Sequence, residues 1–371
     1  ATFVLLDKEP TAGGLCRSAV VDGQPLDLGG GHFLDTKRKN VVDFLFRFLP
    51  ESEWNLHSRI SKIHLRETLI DHPLEANLWQ LSTAAQIDFL ESLARAGSVK
   101  HEPAPTAFAD WVTWKFGPLF AQEYLLPYNR KIWSMDLNTL GTYWLDKLPD
   151  VSFRQTLESC LVQRARGRLP AHEKFYYPKN FGYGEVWSRM ALAVGDRFRP
   201  NTPLHSLDLA SQVINHTIRY KRLVNTIPWS ALSAATPLPD AINESIHALR
   251  HTSLIVDYYP DNLPTNAHWT YEPNETIAYH RILHRHNFVP SGRGYWTETN
   301  SQRAQPSAHF SHQNEFAYPV NTIDKPRRMA EIRAWAQANN IIPLGRWGTW
   351  EHMNSDVAVD EALQAQRNAS P

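Results

Sequence analysis

The stretch that decides the fold is residues 5–15, LLDKEPTAGGL. Residues 2–6 form a continuous apolar run of the kind that fills a buried strand, and the run ends at Asp7. The loop that follows ends in Gly13 and Gly14. Because glycine has no Cβ, another group can approach the backbone closely at these two positions. We therefore expect a buried parallel strand that ends in a carboxylate and leads into a glycine loop.

The strand at residues 2–6 stands at the very start of the chain, which opens with Ala1 in place of Met. A buried parallel strand needs a neighbouring strand, and only one residue precedes this one. We therefore expect the numbering to begin inside a larger protein.

Composition narrows the class of protein. The 371 residues are enough for two or three packed units. Lys plus Arg and Asp plus Glu balance at 38 each, so we expect no nucleic-acid partner. The longest apolar stretch, residues 41–49, is interrupted by Asp43 and Arg47, so no membrane span is expected. Only Cys16 and Cys160 are present, which favours a cytoplasmic protein without a disulfide framework.

Periodicity along the chain predicts a mixture of helices and strands. Residues 18–27 alternate around Asp22-Gly23 and predict a hairpin. Strand patterns occupy 60–70, 205–226 and most of 252–310. Helical patterns occupy 37–48, 83–96, 106–126, 156–164, 184–194, 237–249, 327–338 and 355–366. Because this order is not a simple βαβ alternation, we expect one domain built from distant segments with another inserted in it.

Six further segments carry a resemblance to a known family. They are 27–32 (DLGGGH), 52–61 (SEWNLHSRIS), 127–133 (PYNRKIW), 271–273 with 279–281, 317–319, and 345–356 (GRWGTWEHMNSD). Together with residues 5–15, and in this order, they resemble the UDP-galactopyranose mutases, especially the eukaryotic-like branch. That family is part of the wider FAD-dependent group of amine oxidases and protoporphyrinogen oxidases.

The resemblance implies an α/β fold with α+β insertions. It comprises a Rossmann-like FAD-binding domain, N-terminally truncated, a helical segment and an antiparallel-sheet substrate domain. We assign 1–34, 176–230 and 340–371 to the FAD domain, 35–175 to a mostly helical substrate or cap region, and 231–339 to the antiparallel-sheet region. The Gly-x-Gly-x-x-Gly turn that should precede Asp7 by roughly twenty residues is absent, and we expect it upstream.

FAD is the cofactor that the resemblance implies. Asp7 would accept hydrogen bonds from the adenosine ribose, or would merely start a turn. His32 would lie against the flavin. Residues 354–356 begin the last helix, whose free N–H groups suit flavin and ribityl oxygens, and an ordinary N-cap is compatible with this role. The other implied cofactor residues are Gly13, Gly14, Leu15, Gly30, Gly31, Gly345, Arg346, Asn354, Ser355 and Asp356.

The implied substrate residues are Asn129, Trp133, Tyr271, Arg281, Tyr318 and His352. On a strand, Tyr279, Arg281 and Arg285 would share one face. Paired donors on arginine suit the diphosphate of a nucleotide sugar, although such residues can also be solvated surface arginines. The histidines 280, 284 and 286 on the opposite face offer His-x-His spacing, but we expect no metal.

Four positions depart from the mutase pattern. Lys147 stands where a second arginine is usual, and Glu75 where a glutamine contacts uracil. Phe288 and His352 replace substrate tyrosines. These changes argue against an unchanged UDP-galactose site.

The preferred function is a reduced-flavin mutase that interconverts the pyranose and furanose forms of a nucleotide sugar for cell-surface polysaccharide synthesis. Such an enzyme would be a flavin-dependent intramolecular transferase, that is, an isomerase. His32 would tune the flavin, Arg281 would hold the diphosphate, and NAD(P)H is a candidate external reductant. The alternative is an FAD-dependent oxidoreductase resembling amine or protoporphyrinogen oxidases. A third reading is a degenerate scaffold that does not bind FAD.

Overall fold

The computed structural model describes residues 2–145, 151–167, 173–305 and 308–369. The chain divides into two compact units. The first unit comprises Ala1–Asn55, Tyr176–His251 and Phe316–Pro371, and the second comprises Leu56–Phe175 and Thr252–Glu315. The functional assignment of 1–34, 176–230 and 340–371, of 35–175 and of 231–339 stays a prediction.

The helices of the described residues are α1 (Lys39–Leu45), α2 (Leu74–Asn77), α3 (Thr83–Ala94), α4 (Phe108–Phe120), α5 (Leu126–Trp133), α6 (Phe153–Val162), α7 (Gly184–Val194), α8 (Trp229–Ala235), α9 (Asp240–Ala248), α10 (Arg285–Phe288), α11 (Lys325–Ala338), α12 (Gly345–Gly348) and α13 (Ser355–Ala369). None of these helices combines the length and hydrophobicity needed to cross a bilayer.

The strands of the described residues are β1 (Leu5–Leu6), β2 (Ser18–Val21), β3 (Gln24–Asp27), β4 (Leu34–Asp35), β5 (Trp54–Ser58), β6 (Ser61–Leu65), β7 (Thr68–Asp71), β8 (Lys174–Pro178), β9 (Phe198–Arg199), β10 (Leu207–Asp208), β11 (Val213–Ile214), β12 (Ile218–Arg219), β13 (Leu223–Asn225), β14 (His251–Tyr259), β15 (Trp269–Tyr271), β16 (Arg281–His284), β17 (Tyr295–Asn300), β18 (Phe310–Pro319) and β19 (Ile341–Pro343).

The first unit contains the predicted opening strand and hairpin. β1 pairs in parallel with β9, and β13 pairs in parallel with β19. The hairpin of β2 and β3 is confirmed, with φ of 53° at Asp22 and 73° at Gly23. Two consecutive left-handed residues are what a two-residue turn needs to match the twist of its strands. A core of aromatic and aliphatic side chains, which includes Trp229, Ile332 and Trp350, packs between the helices of this unit.

The second unit is dominated by a sheet of order β18-β14-β17-β16-β15-β6-β7. The edge strand β18 and its neighbour β14 also contribute residues to the first unit. The pairs β14–β17, β17–β16, β16–β15 and β6–β7 are antiparallel. β15 and β6 are parallel, so the sheet predicted as antiparallel is mixed. β6 and β7 come from the segment 35–175, so they join this sheet from a distant part of the sequence.

The single helix predicted over 106–126 is interrupted. Gly117 has a φ of 79° and Pro118 follows it, so the helical hydrogen bonding breaks at this point. A Cβ at Gly117 would lie 2.4 Å from the backbone oxygen of Ser92, so close packing on α3 also requires glycine here. A π-helical turn, Ala121–Leu125, then leads into α5. α5 lies against the sheet, where Asn300 donates to the carbonyl oxygen of Ile132 at 2.7 Å.

Candidate functional site

Two glycine-bearing loops of the first unit pack against each other. The first contains Gly13 and Gly14, with φ of 110° and 53°, and a Cβ at Gly14 would meet nothing within 4 Å. The second contains Gly29, where a Cβ would lie 1.9 Å from the carbonyl oxygen of Leu15 and 3.0 Å from the imidazole of His32. The backbones therefore touch where glycine permits it, while the space beside Gly14 stays open. The predicted cofactor residues of both loops lie in one region.

Asp27 joins the second loop to the rest of the first unit. Its buried carboxylate accepts from the hydroxyl of Ser18 (2.6 Å), the hydroxyl of Tyr177 (2.8 Å) and the amide of Tyr183 (2.9 Å). The hydroxyl of Tyr183 in turn lies 2.8 Å from Oγ of Ser355, at the start of α13. Burial raises the pKa of Tyr183 well above 10, so its phenol stays protonated. Sequence reasoning quoted Asp27 without a role and missed Tyr183.

The start of α13 contains a buried carboxylate. Asp356 accepts from the guanidinium of Arg38 at 2.6 Å through Oδ2. Its other oxygen, Oδ1, is buried and accepts no hydrogen bond from the residues that the structure describes. The carbonyl oxygen of Asn354 accepts from the amide of Ala358, so the predicted N-cap position is occupied by Asn354. A buried acceptor at a helix start suits a ligand hydroxyl or N–H group.

Arg346 fastens the segment that leads into α13. Its guanidinium donates to the carbonyl oxygens of Met353 (2.7 Å) and Ala317 (2.9 Å), and lies 5.7 Å from the ring centre of Tyr318. The rings of Tyr318 and His352 are 4.9 Å apart. Burial lowers the pKa of Arg346, and Tyr318 and Cys16 oppose that shift. Gly345 beside it has a φ of 67° and open space where a Cβ would stand. The predicted residues 345, 346, 318 and 352 are thus neighbours.

Asp7 follows β1 and performs the turn role that was its alternative interpretation. Its Oδ1 accepts from the amide of Glu9 at 3.0 Å, and its backbone oxygen accepts from the amide of Thr202 at 2.7 Å. Burial raises the pKa of Asp7, while the Glu9 hydrogen bond and Arg17 lower it. The role of Asp7 toward a ribose stays a prediction.

Asn129 and Trp133 lie together on α5 in the second unit. The indole of Trp133 donates to Oδ1 of Asn129 at 3.0 Å, and the amide of Asn129 donates to the carbonyl oxygen of Leu125 at 2.8 Å. Trp133 is buried. These bonds within the helix fix the orientation of both side chains.

Tyr271 and Arg281 stand directly opposite each other on β15 and β16. Arg281 is forked onto the buried carboxylate of Glu298, with Nε–Oε2 and Nη2–Oε1 distances of 2.9 and 2.8 Å. The ring of Tyr271 lies 5.4 Å from that of Tyr128 and 4.9 Å from that of His72. Sequence reasoning singled out Tyr271 and Arg281 but missed Glu298, because strand register brings it there.

Arg59 completes this group, and sequence reasoning did not assign it a role. Its Nη2 lies 3.2 Å from Nδ1 of His72 and donates to the hydroxyl of Tyr271 at 3.3 Å. Burial and the charge of Arg59 hold the pKa of His72 well below 6.5, so a neutral imidazole accepts this bond. Burial raises the pKa values of Tyr124 and Tyr128 well above 10. We call Arg59, His72, Tyr124, Tyr128, Tyr271 and Arg281 the tyrosine–arginine cluster.

The alternation predicted over 279–286 is wrong outside 281–284. β16 ends at His284, opposite Tyr295, and the next four residues, Arg285–Phe288, form α10. Arg285 and His286 therefore do not continue the faces of the strand. His284 bonds Thr270 at 3.0 Å. Across the described residues, no three His, Cys, Asp or Glu side chains gather as a metal would require.

Two of the positions that depart from the mutase pattern, Glu75 and Phe288, are buried in different environments. Glu75 is buried on α2, and its charge helps to raise the pKa of Tyr124. Phe288 is buried and packs edge-on to His268, with ring centres 5.3 Å apart, so it belongs to the core. Lys147 lies outside the described residues.

Comparison with solved structures identifies the fold. A search of protein-family models finds none that matches. A crystal structure of reduced UDP-galactopyranose mutase matches with a TM-score of 0.87 and 19% identity, covering 98% of this chain and 87% of that one. A CLA-producing fatty acid isomerase from P. acnes matches with a TM-score of 0.65 and 11% identity, covering 99% and 92% of the two chains. Cyclohexylamine oxidase from Brevibacterium oxydans IH-35A matches with a TM-score of 0.63 and 11% identity, covering 99% and 93%. The chain therefore has the fold that UDP-galactopyranose mutase shares with amine oxidases, as the sequence resemblance predicted.

Proposed function

We propose that the protein is an FAD-dependent enzyme, and more specifically a reduced-flavin mutase that interconverts the pyranose and furanose rings of a nucleotide sugar. The observation that carries this proposal is the match to reduced UDP-galactopyranose mutase, which extends over 98% of the chain. A cytoplasmic location would give the enzyme access to NAD(P)H as its reductant.

The first unit fits the proposed cofactor. Its glycine loop leaves open space beside Gly14, and Oδ1 of Asp356 is a buried acceptor to which a cofactor hydroxyl could donate. Asp7, Gly13 and the start of α13 would hold FAD, and His32 would lie beside its ring system. Reduced FAD, when bound, supplies the nucleophilic and electron-donating chemistry that side chains lack. The protein's own contribution would be to bind, orient and exclude water.

The second unit would bind the substrate through its tyrosine–arginine cluster. Tyr hydroxyls and guanidinium groups bind sugar hydroxyls and phosphate oxygens. Burial keeps the phenols of Tyr124 and Tyr128 protonated at neutral pH, so they can donate hydrogen bonds to a ligand. Asn129, Trp133, Tyr318 and His352 remain proposed substrate residues.

One observation favours an FAD-dependent oxidoreductase as the second candidate. Glu298 already neutralises Arg281, the residue assigned to the diphosphate. An arginine that is already paired with a carboxylate attracts a phosphate less strongly than an arginine whose charge is not compensated. An amine or another uncharged substrate would not need that attraction.

The experiment uses the purified natural protein. The visible spectrum reports bound FAD, and a colourless protein that stays colourless with added FAD would contradict the whole proposal. The dithionite-reduced protein is then incubated with a panel of nucleotide sugars, and chromatography separates pyranose from furanose products. Ring interconversion without net flavin oxidation supports the mutase. Bleaching of the oxidised flavin by an amine, with no nucleotide bound, supports the oxidoreductase.

A further inference from the structure

His280 and Arg281 share one buried carboxylate. Nε2 of His280 lies 3.6 Å from Oε2 of Glu298, and the same oxygen accepts from Nε of Arg281 at 2.9 Å. The side chain of Glu298 is fully buried, and that of His280 is 3% exposed. Glu298 is therefore within reach of a permanent cation and of an imidazole that becomes a cation when it is protonated.

The backbone holds these three residues together. The amide of His280 donates to the carbonyl oxygen of Glu298 at 2.9 Å, and its carbonyl oxygen accepts from the amide of Glu272 at 2.9 Å. Arg281 and Glu298 are directly paired across β16 and β17. Because His280 precedes β16, the alternation of a strand does not separate its side chain from that of Arg281. Strand register thus brings both side chains to the same carboxylate.

The imidazole of His280 is neutral at neutral pH. Burial lowers its pKa below 6.5, Glu298 opposes this shift, and the charges of Arg281 and Lys131 add to it. Its Nδ1 is buried and has no hydrogen-bond partner among the residues that the structure describes. The titratable and charged groups around the imidazole belong to three elements, and they are Arg281 on β16, Glu298 on β17, and Tyr128 and Lys131 on α5.

Protonation of His280 would change the charge balance at this carboxylate. While His280 is neutral, the negative charge of Glu298 offsets the positive charge of Arg281. Once His280 is protonated, the same carboxylate faces two cations, and the three side chains together carry a positive charge. Such a charge acts strongly on a nearby anion because little water screens it. Binding and protonation are reciprocal, so an anion at Arg281 would in turn raise the pKa of His280.

We propose that His280 is a positioning residue that acts through Glu298, and that its protonation releases part of the charge of Arg281 for an anionic ligand. The proposal rests on the proposed function in taking Arg281 to be the residue that meets the anion of the substrate. It adds that binding is coupled to the uptake of a proton by His280. Affinity is therefore lowest and constant at alkaline pH, and it rises as the pH falls through the pKa of His280 in the complex.

Calorimetric titration of the FAD-loaded protein between pH 8 and pH 5 tests the proposal, with UDP-galactose and inorganic sulfate as separate probes. Neither probe titrates in this range, so any change of affinity belongs to the protein. The affinity of wild type should rise about 10-fold from pH 8 to pH 5. Titrations at pH 6 in buffers of different ionisation enthalpy should show that a proton is taken up on binding.

His280→Gln is the test variant, because its side-chain amide can donate to Glu298 but cannot titrate. It should lose most of the proton uptake and flatten the pH profile, while its affinity at pH 8 should stay within about twofold of wild type. Lys131, whose pKa is lowered to about 7, is largely protonated at pH 6 in both proteins, so the comparison cancels its contribution. A purely structural role of His280 would not remove the proton uptake.

The matched control is His284→Gln on the same strand. His284 is also buried, its Nε2 bonds the hydroxyl of Thr270 at 3.0 Å, and its pKa of about 4 lies below the range of the titration. This variant should keep the wild-type pH profile. Flavin content and melting temperature show whether each variant folds. If His280→Gln does not fold, His280→Tyr takes its place, because it keeps a ring and a donor that does not titrate below pH 8.

The outcomes separate this inference from the proposed function. UDP-galactose affinity that is independent of pH in wild type, or that changes equally in a folded His280 variant, overturns the role of His280 and leaves the mutase proposal intact. Sulfate binding with the expected pH profile, when no nucleotide sugar of the panel binds, supports the role of His280 and contradicts the nucleotide-sugar function. If wild type binds neither kind of probe at any pH, both ideas are wrong.

Discussion

Arg281 and Glu298 face each other on β16 and β17 and are joined by a two-pronged ion pair, with the carboxylate fully buried. The pair fixes the orientation of the guanidinium beside Tyr271. His280 adds to it, since its Nε2 lies 3.6 Å from Oε2 of Glu298. The guanidinium of Arg281 is therefore held in a fixed orientation, but Glu298 already compensates part of its charge.

Glu298→Gln should destabilise the protein by about 1–3 kcal/mol, because Arg281 loses its buried counter-charge while remaining partly exposed to solvent. Urea unfolding of the two proteins measures the difference in free energy of unfolding. Glu123→Gln is the control, since it removes the partner of the exposed Arg66 and should cost less than about 1 kcal/mol. Equal losses of unfolding free energy in the two variants would mean that burial of the Arg281–Glu298 pair does not add to its stabilising effect.

Two buried histidines should make the second unit sensitive to acid. Burial lowers the pKa values of His268 and His284 to about 4 from the usual 6.5. Between pH 6.5 and 4 the unfolded chain therefore binds more protons than the folded one, so stability falls as the pH falls through this window. The loss should be on the order of 3 kcal/mol per histidine once the pH is well below 4.

His268→Asn tests this pH dependence. Oδ1 of asparagine can accept from the amide of Ile60 as Nδ1 of His268 does, but it does not titrate. The difference in free energy of unfolding between pH 7 and pH 4.5 should be smaller in the variant than in wild type. A variant as acid-sensitive as wild type would show that His268 does not contribute.

Lys131 anchors α5 to the loop after β15. Its buried ammonium group donates to the carbonyl oxygens of Glu272 (2.6 Å) and Asn274 (2.8 Å). Lys131→Met keeps the apolar stem but leaves both carbonyls without this donor, which should cost about 2–4 kcal/mol. Thermal and urea unfolding measure the loss. Arg130→Met on the same helix removes only an exposed pair with Glu275 and should have little effect.

Features set by neighbouring residues could be predicted from the sequence. The hairpin of 18–27 depends on Asp22 and Gly23, whose left-handed conformations a two-residue turn requires. Helices α7 and α11 were close to their predicted ranges because their apolar periodicity is local. The loops around Gly13 and Gly29 were also predicted as loops, because their glycines are a local feature of the sequence.

Features set by strand register and long-range packing could not be predicted. Glu298 meets Arg281 only because β16 and β17 pair in one register, and Tyr183 meets Asp27 across 156 residues. The alternation over 279–286 failed because β16 ends at His284, where the chain turns back toward β17. Arg59 belongs to the candidate site through the parallel pair of β6 and β15, which no local pattern indicates.

Asp7 can be tested for two separate roles. Asp7→Asn keeps an oxygen that can accept from the amide of Glu9, whereas Asp7→Ala removes it. If Asp7 also binds the ribose, Asp7→Asn should melt near the wild-type temperature yet bind FAD about tenfold more weakly, since the charge-assisted bonds are lost. Asp7→Ala should lose both stability and affinity. Wild-type FAD affinity in Asp7→Asn would leave Asp7 with its turn role alone.

Tyr183 provides the sharpest test of the proposed cofactor site, because its hydroxyl lies 2.8 Å from Oγ of Ser355 at the start of α13. Tyr183→Phe should lower the free energy of unfolding by about 1 kcal/mol, the value of one buried hydrogen bond. If the start of α13 holds FAD, the freed Ser355 should also weaken FAD binding several-fold. Titration of the apo-protein with FAD, followed by flavin fluorescence, measures the affinity.

The matched control for this test is Tyr177→Phe. Tyr177 is also buried in the first unit and also loses one hydrogen bond, in its case to Asp27 at 2.8 Å, but the bond does not involve α13. Its stability loss should be at least that of Tyr183→Phe, because its lost bond is to a buried carboxylate, while its FAD affinity should stay nearer to wild type. The comparison removes general destabilisation as a cause, because both variants lose one phenol hydroxyl. Equal FAD affinities in the two variants would show that the hydrogen bond to Ser355 has no part in holding the cofactor.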